Sequence, residues 1–145
     1  MAGEDGHHRR RNVTALLDTS ILIRYFVDDP PGSSGRVSTL IDGNEDLIIP
    51  EVILAECGFV LASNYRLPRE VIVDNLVALL RKKNIDTLML SKSLAEEALL
   101  LCRPSRRVSF ADALTWAAAI SSGIGVVYSL DRRFPSADIE LRTVG

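Results

Sequence analysis

The apolar residues of this chain gather in short unbroken runs, and that habit limits the folds open to it. Residues 13–17, 47–49 and 125–129 carry almost no charge and do not alternate apolar with polar. A strand with one wet face alternates; a short unbroken run suits a strand buried on both faces, as in parallel sheets covered by helices. Residues 87–90 and 139–144 read as two further strands. The stretches between have helical spacing. Thr19 or Ser20 opens a helix to about Val27, and 33–41 reads as a second, stopped by Gly43. Pro50 sits at the first position of a helix reaching about Asn64, and Pro68 opens one carrying Ile72, Val73, Leu76 and Leu80. Ser91 starts another, and the last runs from about Phe110 to Ser121, ended by Gly123. Strands alternating with helices predict an α/β domain built on a central, mainly parallel sheet with helices on both faces.

At 145 residues the chain is the size of one domain, and 47% hydrophobic with 25% charged residues is a globular composition. Residues 1–11 are expected to be a flexible polar tail and 12–145 a single domain. His7 and His8, the only histidines, fall in that tail and read as solvated. The net charge of −2 advertises neither nucleic acid nor an acidic membrane, although a local basic cluster can serve RNA. No apolar run approaches the ~20 residues of a membrane span. Cys57 and Cys102 lie far apart in apolar helical patterns, as reduced core thiols suited to the cytoplasm do.

Against this background the lone acids stand out. Asp18 is the only charge between Arg11 and Arg24; Glu56 is the only one from Val52 to Tyr65. Asp112 is the only one from Val108 to Leu130, and Asp131 follows at once. A buried carboxylate costs several kcal/mol or more unless paired or bound to a metal. Each acid also has a plain structural role open to it. Asp18 can cap the following helix, Asp131 can head a turn with Arg132, and Asp112 follows Ser109 at near capping-box spacing. Glu56 fits such a role least, since Val52, Phe59 and Val60 share its helical face.

Asp18 and Asp131 fall at the carboxyl ends of strands, the edge where open α/β sheets bind ligands. Glu56 and Asp112 fall in early turns of helices leaving that edge, so all four can converge. Carboxylates without a nearby histidine make an all-oxygen site suited to Mg²⁺ or Mn²⁺, ions that support phosphodiester hydrolysis. There is no Ser/His/Asp constellation and no GxxxxGK[ST] loop.

Leu16-Leu17-Asp18-Thr19-Ser20, then Glu56 within 50–56, then Phe110-Ala111-Asp112-Ala113-Leu114, then Ser129-Leu130-Asp131-Arg132-Arg133-Phe134 resemble the successive motifs of PIN-domain ribonucleases. Size and element order are similar to the VapC-type toxins of toxin–antitoxin pairs. The resemblance covers the chain from Asn12 onward. It implies a three-layer α/β/α sandwich and a Mg²⁺- or Mn²⁺-dependent endoribonuclease, commonly a homodimer neutralised by a small antitoxin. Asp18, Glu56, Asp112 and Asp131 would then be the catalytic, metal-binding acids, with Thr19, Ser20 and Ser129 as supporting hydroxyls. Two positions depart from the pattern: Arg133 stands where many members carry another acid, and bulky Trp116, one turn after Asp112, is expected to restrict the cleft.

Arg103, Arg106 and Arg107 precede Asp112, while Arg132 and Arg133 follow Asp131, so they can rim the same mouth and hold RNA phosphates or an antitoxin. Two rival functions compete with the nuclease. A phosphoacceptor receiver module needs paired acids after the first strand and a late lysine, but Asp18 has no acidic neighbour and no lysine follows Lys92. A catalytically silent PIN-like module, binding RNA or protein only, is kept open by Arg133.

Overall fold

The computed structural model describes residues 13–144; the expected tail, with His7 and His8, lies outside the described residues. The chain runs β1 (Val13–Leu16), α1 (Thr19–Phe26), α2 (Gly35–Ile41), β2 (Asp46–Ile49), α3 (Glu51–Ser63), α4 (Arg69–Leu80), β3 (Ile85–Thr87), α5 (Lys92–Leu101), α6 (Phe110–Ser122), β4 (Val126–Tyr128) and β5 (Glu140–Arg142). Every strand pairing is parallel, as the unbroken apolar runs predict. β2 lies between β1 and β3, with Leu16 opposite Ile48 and Ile49 opposite Thr87. β4 pairs with β5 in a separate two-stranded ladder, so the pairing divides into three strands and two. The mixed α/β arrangement with parallel ladders is the fold class that the sequence predicts.

Leu47, Ile48 and Ile49 are all buried, which explains why β2 has no polar alternation. Leu54 and Leu61 of α3 and Ile72, Leu76 and Leu80 of α4 are fully buried in the same core. Each such side chain contributes about 1.5–3 kcal/mol by leaving water. α6 packs against both α3 and α5, and α3 also packs against α1. The helices that carry the conspicuous acids are therefore direct neighbours.

Pro50 and Pro68 stand one position earlier than expected. Both have helical φ but extended ψ (146° and 147°), so each is an N-cap whose carbonyl accepts the first helical bonds. The third strand also ends earlier than the apolar pattern 87–90 predicts. The backbone N–H groups of Met89 and Leu90 donate to Glu51 Oε2 at 2.8 and 2.7 Å, so a side chain takes the donors that a longer ladder would need. Gly123 ends α6 as expected, in the left-handed region at φ 75°, which a side chain would strain.

Candidate active site

Asp18 occupies the N-cap position of α1 with extended backbone, and its carbonyl accepts from Ile21 and Leu22. Its carboxylate makes no capping bond. The Ser20 hydroxyl lies 3.5 Å from its Oδ2. The cap explanation therefore accounts for its backbone and leaves its side chain exposed for other use.

Next to it, Thr19 is buried, and its hydroxyl donates to Glu56 Oε1 across 37 positions of sequence. That bond ties the head of α1 to the second turn of α3. Glu56 itself is exposed, contrary to the expectation that its apolar helix buries it. The face it shares with Val52 and Phe59 is open to water, and those two are 70% and 68% exposed. Its apolar neighbours mark a surface, and no burial penalty forces a cation onto it. Glu56 stands at the rim of a cavity of about 350 Å³ whose walls include Val52, Phe59, Phe110 and Arg69.

Asp112 lies in the first turn of α6, half-buried. Its backbone N–H donates to the Ser109 hydroxyl at 3.0 Å, so serine, not aspartate, caps this helix. Asp131 lies three residues past β4. Its N–H donates to Ser129 Oγ at 3.0 Å, and its Oδ1 accepts from the Arg133 N–H at 2.9 Å. The Arg133 guanidinium closes on the same carboxylate, Nε to Oδ1 at 3.2 Å and Nη2 to Oδ2 at 3.4 Å. This pairing, helped by the backbone bond and the charge of Arg107, holds the Asp131 carboxyl below its usual range. The Arg133 guanidinium is shifted up, first by Asp131 and also by the charge of Asp112. Asp131 thus does head a turn, but with Arg133 where Arg132 was the expected partner.

The other basic residues separate. Arg103 makes a two-point pair with Asp74 of α4, at 2.8 and 3.0 Å, and is engaged within the fold. Arg106, Arg107 and Arg132 are exposed. Trp116 does not narrow a cleft: it is 2% exposed, and its indole N–H donates to the Ala137 carbonyl at 2.8 Å. The helical period turns it inward, toward the segment before β5.

A clamp between α3 and α6 escaped the sequence. Phe110, at the head of α6, is buried against Gly58, where a Cβ would come within 2.5 Å of the ring. The Arg69 guanidinium lies 4.5 Å from the centre of the same ring and its Nη1 donates to the Val108 carbonyl at 3.1 Å. Glycine inside an otherwise apolar helix was the one available signal of a close approach. Nothing in the sequence announces a contact between positions 69 and 108.

The carboxylate and hydroxyl oxygens have the chemistry that a hard cation prefers. Among the described residues, however, no three acidic, histidine or cysteine side chains stand together as a metal-holding group. The donor types fit; their arrangement as it stands is open.

These features define a small α/β domain with acids presented where strands end and helices begin. A family model of the PIN domain matches residues 15–140, and the chain belongs to the PIN-domain family. That family is generally a nuclease fold whose members act on nucleic acid with divalent metal ions. No curated protein matches the chain significantly. Among the described residues no helix is long and apolar enough to cross a membrane.

Proposed function

We propose that this chain is a Mg²⁺- or Mn²⁺-dependent endoribonuclease and the toxin, of VapC type, of a toxin–antitoxin pair. The observation that carries this is the Thr19–Glu56 bond, which ties one acid to the residue that follows Asp18, while the Asp18 carboxylate makes no capping bond. Asp18, Glu56, Asp112 and Asp131 are the proposed metal-binding and catalytic acids. A bound cation would neutralise phosphate charge and acidify an attacking water. The chain's own part is to hold the carboxylates as proton acceptors and cation ligands. Thr19 orients Glu56, Ser20 neighbours Asp18, and Ser129 fixes the turn that presents Asp131. In the hydrolysis, water oxygen bonds to phosphorus as its proton passes to a carboxylate, and the bond to the leaving ribose oxygen breaks as that oxygen takes a proton from solvent. Arg106, Arg107 and Arg132 supply positive charge for RNA phosphates. Residues 12–145 act as one domain, as a cytoplasmic homodimer blocked by a small antitoxin.

The test is purified chain, free of any partner, incubated with host RNA in Mg²⁺ or Mn²⁺, with EDTA and Asp112→Asn in parallel. Discrete fragments lost in both controls support the proposal; fragments that persist in either refute the assigned chemistry. One observation favours a second function, the catalytically silent RNA- or protein-binding module: Arg133 occupies Asp131. Its signature is RNA retained intact with metal bound.

A further inference from the structure

The open arrangement of the acids has a local counterpart in Arg133. Its side chain grips both oxygens of Asp131 while its backbone N–H holds one of them, and the charge of Asp112 acts on the same guanidinium. The turn sets this position: Arg133 is two residues beyond Asp131 in a tight turn that Phe134 anchors, its N–H donating to the Asp131 carbonyl at 3.1 Å. Phe134 is buried, so the turn cannot swing away as a whole. The guanidinium alone is free to leave.

We propose that Arg133 is a built-in counter-cation of the acidic site, which a divalent ion must displace from Asp131, so that this residue sets the metal affinity of the protein. The inference rests on the metal-dependent function proposed above. Three physical points support it. Asp131 and Asp112 both act on this one guanidinium, which offsets part of the repulsion between like charges until a dication arrives. The pair is exposed, with 61% of the arginine side chain open to water, so it is weak enough to exchange. A dication carries twice the charge of the group it replaces and gains more from each carboxylate.

The experiment is Mn²⁺ titration of the full chain, free of RNA, followed by the loss of the free-ion electron paramagnetic resonance signal. Wild type is compared with Arg133→Ala, Arg133→Gln and Arg133→Lys, with melting curves to show that each variant is folded. Arg81→Ala, which removes the same charge from a pair with Glu96 on the far end of α4, controls for net charge. Arg133→Ala and Arg133→Gln should bind Mn²⁺ roughly three- to tenfold more tightly, the scale of one exposed pair and one charge beside a dication. Arg133→Lys should fall between, because it keeps the charge and loses the two-point grip. Arg81→Ala should match wild type. Binding in the alanine and glutamine variants that is unchanged or weaker overturns the proposal and leaves the metal site standing. Equal tightening in Arg81→Ala also overturns it, as a bulk charge effect. No Mn²⁺ binding by any of the proteins refutes the metal-dependent function itself, and this inference with it.

Discussion

Gly58→Ala should destabilise the protein although alanine is the better helix former. A Cβ at position 58 would lie 2.5–2.7 Å from three atoms of the Phe110 ring. Carbon atoms pack at about 3.5–4.0 Å, so the ring must retreat by roughly 1 Å. It has little room: Phe110 is 4% exposed, and the Arg69 guanidinium lies over it while bonded to Val108. Overpacking of this kind costs about 1–3 kcal/mol. Replacing glycine within a helix returns about 0.5–1 kcal/mol. Taken at the middle of each range, the net loss is about 1 kcal/mol, or roughly 3–5 °C in melting temperature. Trp116, the only tryptophan and a buried one, reports unfolding by its fluorescence in urea. Adding Phe110→Leu to Gly58→Ala should cost less than it does in the parent chain, with a coupling of about 1 kcal/mol. A Gly58→Ala protein as stable as its parent, or more stable, refutes the claim that this contact sets the α3–α6 separation.

Thr19→Val, which keeps the shape and removes the hydroxyl, should lower kcat for RNA cleavage about tenfold or more through a misoriented Glu56, with a melting point close to wild type; an unchanged kcat rejects Thr19 as a positioning residue. Trp116→Phe leaves the Ala137 carbonyl without its donor and should cost about 1–3 kcal/mol, while cleavage per folded molecule stays at the wild-type rate; altered cleavage would return Trp116 to the cleft. Burial pushes the Cys57 thiol up to about 12, with the Glu56 charge adding to it, and Cys102 up to about 11. Folded-state values above the unfolded thiol value mean stability complete below about pH 8.5 and lost as pH rises toward 11–12. Thiol-reagent labelling should accordingly be slow at neutral pH and become fast only on unfolding; rapid labelling of the native protein would contradict the burial.

How much of this was legible in the sequence depends on the range of each interaction. The unbroken run at 47–49 announced a strand buried on both faces, because the residues that cover it need not be known for burial to be inferred. Serine caps at 91 and 109 work within three residues and could be read the same way. The end of β3 could not, since Glu51 takes the N–H groups of residues 89 and 90 from almost forty positions away. Glu56 shows the deeper limit. Apolar neighbours at helical spacing look identical whether they enter a core or form an exposed apolar face, and here Val52 and Phe59 form the face. Arg133 was visible as a departure from the motif, but that it grips Asp131 emerged only from the turn geometry.

The central claim is that four carboxylates act together on an RNA phosphodiester, and single-turnover cleavage by the isosteric variants tests it most directly. Asp18→Asn, Glu56→Gln, Asp112→Asn and Asp131→Asn would each be assayed at saturating Mn²⁺ beside their melting temperatures. Each should lose roughly 10²–10⁴-fold in rate while remaining folded. Any of the four that cleaves at the wild-type rate removes that acid from the site, and undiminished cleavage by all four contradicts the account.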